Sequence, residues 1–145
     1  MCLETIEKFK TNGKGFQVVR KRNENRYESW LRRTADVYTI GIPRKAWKSP
    51  IHTEVSREKY LSGFHVIIRK SDAVALLKAA KNYYFGCKEL YFMTLVEVSY
   101  THKSITATGW QRLGRVVSCS GEPNRLMKTV IASKSTILRE VKQCV

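Results

Sequence analysis

One stretch of this chain carries a helical period, and almost everything else carries a strand period. Ala73, Leu76, Leu77, Ala80 and Tyr84 recur at i, i+3, i+4, i+7 and i+11 with Lys78 and Lys81 off the stripe, which is one face of an amphipathic helix. Ser71 is placed to cap it, Asp72 suits its first turn, and Gly86 suits its end. The spacing predicts a helix over 72–84. Around it stand short β-rich runs at 16–22, 27–31, 37–40, 63–68, 89–100, 105–110, 113–119 and 127–132, separated by turn residues. One helix cannot bury so many half-apolar strands by itself. The expected fold is therefore α+β, a single domain over 1–145 in which a mainly antiparallel sheet carries one principal helix packed on a face.

The connections refine this expectation. Asn23, Glu24 and Asn25 form a turn signal between 16–22 and 27–31, which predicts a β-hairpin. Short connections, one holding His102 and Lys103 and the other Gln111 and Arg112, separate the runs 89–100, 105–110 and 113–119, so these are expected to form an antiparallel meander. Leu3, Ile6 and Phe9 are spaced by three before Asn12 and Gly13, so 1–14 reads as a capping segment of a helical turn or two. Pro43 and Pro50 with no clean period make 42–62 the long loop. The last run, 136–145, reads equally as a strand or a short helix. No internal repeat is visible.

Lysine and arginine total 27 against 12 aspartate and glutamate, a formal net charge of +15 with a pI near 9.9. That excess is more than solubility requires and points to a polyanionic or acidic partner. No apolar run approaches the roughly 20 residues of a membrane-spanning helix, so no membrane association is expected. Glu4 and Glu7 stand where a signal peptide would be basic, and the expected location is cytoplasmic. Cys2, Cys87, Cys119 and Cys144 show no Cys-x-x-Cys pairing, so four unpaired thiols are expected. His52, His65 and His102 fall in different segments, and neither a metal site nor a cofactor is expected.

The order of several short motifs carries a resemblance: Gly15 to Arg20 (GFQVVR), then Tyr27, Glu28 and Ser29, then Tyr38, Thr39, Ile40 and Gly41, then Gly63, Phe64, His65 and Val66, then Asp72 and Ala73. This pattern resembles a family of small, largely uncharacterised phage and bacterial proteins over most of residues 15–132, including the strand 92–98. The resemblance implies a compact α+β domain and a phage or mobile-element setting. It carries over no catalytic residue.

Phosphate-cradling and hydrolase signatures are absent: no G-x-x-x-x-G-K-S/T, G-x-G-x-x-G, G-x-S-x-G or H-E-x-x-H occurs. His65, in an apolar strand, and Glu97, on the face opposite Val96 and Val98, are the candidates for acid-base chemistry. Their setting is loosely similar to ADP-ribosyltransferase layouts, but Leu95 stands two residues before Glu97 and no serine triplet occurs. The bland readings are a histidine bonded to backbone at the core edge and a glutamate in a cross-strand ion pair.

The denser signal is basic. Arg20, Lys21, Arg22, Arg26, Arg32 and Arg33 surround the hairpin with Tyr27 and Trp30 interleaved, and Arg44, Lys45, Trp47 and Lys48 form a second group. Cations neutralise phosphates and flat rings stack on bases, so this mixture suits nucleic acid. Residues 1–70 hold 16 basic side chains against 7 acidic ones. The expected function is a non-catalytic, strongly basic accessory protein of phage type. It would bind nucleic acid or an acidic protein or nucleoprotein of a host, and so modulate or inhibit a host nucleic-acid enzyme. The alternative is a small ADP-ribosyltransferase-like or other nucleotide-using enzyme. Charge reversal at Arg20, Arg22 and Arg26 is expected to remove binding and spare stability.

Overall fold

In the computed structural model, residues 2–29, 37–46, 48–83, 93–117 and 121–142 are described. Twelve strands and one principal helix are seen among them. The strands are β1 (Thr5–Ile6), β2 (Lys14–Asn23), β3 (Arg26–Glu28), β4 (Tyr38–Thr39), β5 (Arg44–Lys45), β6 (Pro50–His52), β7 (Lys59–Leu61), β8 (Phe64–Ile67), β9 (Met93–Ser99), β10 (Ile105–Arg112), β11 (Leu126–Ala132) and β12 (Lys134–Val141). The main sheet runs β1-β10-β11-β8-β2-β9-β12-β5, with β3 and β4 branching from β2, and every pairing is antiparallel. β6 and β7 form a separate hairpin. The fold is α+β, with the helix packed on a curled half-barrel sheet.

Strand alternation sends successive side chains to opposite faces, and here both faces are covered. Val18, Ile67, Leu95, Met127 and Val141 turn to one face and bury the stripe Ala73, Leu76, Leu77 and Ala80 of α1 (Lys70–Tyr83). Burying Leu76 and Leu77 contributes about 1.5–3 kcal/mol each. Val19, Tyr27, Val66, Val96, Val98, Val130, Ala132 and Ile137 fill the opposite, curled face. The backbones approach closely where β2 meets β8: a Cβ at Gly15 would lie 2.8 Å from the Ile67 carbonyl oxygen and closer still to the Val66 side chain.

Five expectations are corrected. The helix starts at Lys70, because Asp72 and Ala73 donate backbone bonds to the Arg69 carbonyl, which leaves Ser71 inside the first turn instead of capping it. The segment 1–14 is not a helical cap: Thr5 and Ile6 pair with Trp110 and Gly109 at the sheet edge, and Leu3 is wholly buried. The segment 42–62 carries β5, β6 and β7 and is no long loop. The meander of 89–100, 105–110 and 113–119 fails, since β9 pairs with β2 and β12 and β10 pairs with β1 and β11, so β9 and β10 are not neighbours. Where 113–119 was expected to extend, Leu113–Val116 forms a short helix, α2, because Leu113 and Val117 reach the same core at i and i+4. The open choice at 136–145 resolves as strand β12 as far as Val141, and 143–145 lie outside the described residues.

Candidate polyanion-binding surface

The basic hairpin exists, and its two faces treat their cations differently. Asn25 takes a left-handed φ of 64° at the turn, and a bulge between Lys21 and Asn23 brings Arg20 opposite Glu28 and Lys21 opposite Tyr27. On one face Arg20 donates to the Glu28 carboxylate, which also draws Arg22 to 3.6 Å. On the other face Lys21 Nζ lies 2.9 Å from Glu140 Oε2, which also accepts from the Tyr27 hydroxyl at 3.2 Å, while Thr94 donates to Oε1 at 2.9 Å. Burial opposes ionisation of Glu140, yet Lys21 and Thr94 outweigh it and hold the carboxyl below its ordinary range. Burial first, then the Glu140 charge, pushes the Tyr27 phenol up.

Two expected contact residues are therefore interior. Tyr27 is 2% exposed and belongs to the core of the curled face, so its ring cannot stack on a base. Arg44 is 8% exposed. Its Nε donates to Ser135 Oγ at 2.8 Å and its Nη2 donates to Gln17 Oε1, while the guanidinium lies 4.4 Å from the Tyr38 ring centroid and 4.2 Å from that of Phe64. Gln17 is itself fixed by donating Nε2 to the His65 carbonyl oxygen at 3.0 Å. Burial lowers the Arg44 pKa to about 10. The ring faces supply the negative potential that a carboxylate would otherwise provide.

Charge reversal at Arg20 is also not a neutral edit. It would set a second carboxylate against Glu28, whose side chain is 9% exposed. Arg26, by contrast, is exposed at the hairpin end and stands in no ion pair among the described residues, as do Lys45 and Lys48. Trp30, Arg32, Arg33 and Trp47 lie outside the described residues, as do Cys87, Cys119 and Cys144; Cys2 is an unpaired thiol.

Glu97 meets Arg139 at 3.3 Å across the β9–β12 ladder, where the two residues are register partners. His65 is half-buried on β8. Among the described residues no group of three or more His, Cys, Asp or Glu could hold a metal ion, and no helix is long and apolar enough to cross a membrane.

Several aromatic and basic groups outside the predicted set meet on the other half of the sheet. Arg69 lies over Trp110 at 5.4 Å, and Lys128 lies over Phe9 at 4.4 Å. Lys128 and Trp110 are register partners on β11 and β10. Strand pairing sets Lys128 beside Trp110, and Phe9 and Arg69 reach them from distant parts of the chain, so sequence spacing gives no hint of the cluster. Compared with protein families, curated proteins and solved structures, the chain has no match.

Proposed function

We propose that this chain is a non-catalytic nucleic-acid-binding protein, an accessory factor of phage type that acts in the cytoplasm of a host and modulates a host nucleic-acid enzyme. The observation that carries this reading is how the carboxylates are used. Glu4, Glu28, Asp72, Glu97, Glu122 and Glu140 are each engaged with arginine or lysine inside the fold's own ion pairs. Arg26, Lys45, Lys48, Lys103 and Lys134 are exposed and take no part in those pairs among the described residues. These exposed cations, in a chain whose net charge is +15, attract a polyanion, which gives up condensed counterions on contact. Glu97 is engaged by Arg139, which favours a binding role over acid-base chemistry at that residue.

Titration of a fluorescent single-stranded oligonucleotide tests this. With six to ten phosphate contacts, affinity falls by about three to five decades between roughly 50 and 200 mM salt. Absence of binding at low salt, together with nuclease-insensitive capture of an acidic protein, would replace nucleic acid with a protein partner.

A further inference from the structure

Two charge anomalies coincide at the two residues of β5. Arg44 is 8% exposed, and among the described residues no carboxylate pairs with it; its partners are a hydroxyl, an amide oxygen and two rings. Its neighbour Lys45 stands directly opposite Lys134 in the β5–β12 ladder, and Ser135 stands opposite Arg44. Facing residues of an antiparallel pair hold their Cβ atoms about 4.5–5.5 Å apart, a separation at which like charges destabilise the sheet. Both lysines are exposed, and neither joins an ion pair among the described residues.

A third cation, Lys103, is next in chain to a residue of the same backbone bonding. Ala46 N donates to the Ser133 carbonyl at 2.9 Å, and Ser133 N donates to the Ser104 carbonyl at 2.8 Å. The residues adjacent to Lys45, Lys134 and Lys103 are thereby tied together by consecutive backbone bonds, and Lys103 is exposed as well. A lysine on a short edge strand protects a sheet from pairing with another chain, which accounts for Lys45 by itself. It does not account for a lysine opposite, or for a guanidinium behind that rings and neutral oxygens hold in place of a carboxylate among the described residues.

We infer that the β5–β12 corner is a phosphate clamp, in which Lys45 and Lys134 grip one phosphodiester group of a bound nucleic acid, with Lys103 beside them and Arg44 as a fixed positive charge behind. An anion between the two ammonium groups converts their repulsion into two charge-assisted hydrogen bonds. The buried guanidinium adds a field that solvent and salt screen less than they screen a surface charge. Lysine meets a phosphate as a point charge, and phosphate contacts are the same at every base, so this corner grips backbone and carries no direct sequence information. The clamp rests on the nucleic-acid reading above and places its anchor away from the hairpin.

The test compares Lys45→Glu, Lys134→Glu and a control, Lys81→Glu on the exposed side of α1, by oligonucleotide titration across salt and by thermal denaturation. Each clamp variant is expected to lower the slope of log affinity against log salt by about 1 to 2, while the control lowers it by less than about 0.5. Lys134→Glu is expected to hold the thermal midpoint or raise it slightly, because it turns a like-charge ladder pair into an opposite-charge one. Equal losses in all three variants would show diffuse attraction and overturn the clamp, as would unchanged slopes at both clamp positions. Failure of the unaltered protein to bind any oligonucleotide would overturn the nucleic-acid reading, and the clamp with it.

Discussion

Glycine 109 shows how much of this architecture hangs on a missing methyl group. It pairs with Ile6 where β1 lies along β10, and a Cβ there would run into the Thr5 carbonyl oxygen and come within 3.2 Å of the Ile6 Cα. Both obstacles are backbone, so neither can rotate aside. Gly109→Ala is expected to cost about 1–3 kcal/mol, the usual penalty for overpacking, because the strand must move away from its neighbour. Urea unfolding measures it, and a midpoint unchanged from the parent protein would contradict the assignment of β1 as a packed edge strand. The same physics explains why 1–14 misled the sequence reading. Leu3, Ile6 and Phe9 at intervals of three look helical, but Glu4 N and Glu7 N donate to the carbonyls of Trp110 and Thr108, and pairing with a distant strand overrides a weak local period.

The hairpin of β2 and β3 behaves as two elements electrically, which separates the fates of its arginines. Arg20→Glu removes the main partner of a nearly buried carboxylate and adds a like charge beside it, so a loss of about 1–3 kcal/mol is expected. Arg26→Glu alters an exposed site and is expected to stay within about 0.5 kcal/mol of the parent. Parallel denaturant titrations of the two variants check this, and equal losses would contradict the ion-pair assignment. At this scale the elements themselves were legible: the hairpin turn at Asn25, the stripe at Ala73, Leu76, Leu77 and Ala80, and the strand holding Val96 and Val98 all follow from local period and turn chemistry. Which strand lies beside which was not. The β9 sequence is compatible with β10 as a neighbour, and nothing local announces that β2 and β12 flank it instead. The same gap hid the site. Lys45 and Lys134 become a pair only through register, and Arg44 is buried by partners, Gln17, Ser135, Tyr38 and Phe64, that its own sequence neighbourhood does not supply.

For the molecule as a whole, a short list of ion pairs ties distant parts of the chain together, and Glu4 is the clearest case. It is 3% exposed, its Oε1 accepts from Arg112 Nε and Arg115 Nε at 2.7 Å each, and its Oε2 accepts from Arg112 Nη2 at 3.0 Å. The Arg112 hydrogen bond, against an opposing effect of burial and with help from Arg115, holds the Glu4 carboxyl below its ordinary 4.5. A carboxylate depressed in the folded state stabilises fully above its unfolded pKa and loses that contribution as pH falls through its folded one. Stability is therefore expected to be flat with respect to this group above pH 4.5 and to decline below it. Arg112→Met is expected to make that acid limb shallower; urea midpoints measured from neutral pH downward decide it, and identical limbs would contradict the role given to Arg112. The Glu4 bond to Arg112 joins residues 108 apart in the chain, and among the described residues β1 has β10 as its one ladder partner. During synthesis the first strand must therefore remain unpaired until some hundred further residues have left the ribosome. Closure of that sheet edge is a late event, completed only after the chain through β10 has emerged, and the unpaired edge of β10 is open to other chains until it happens.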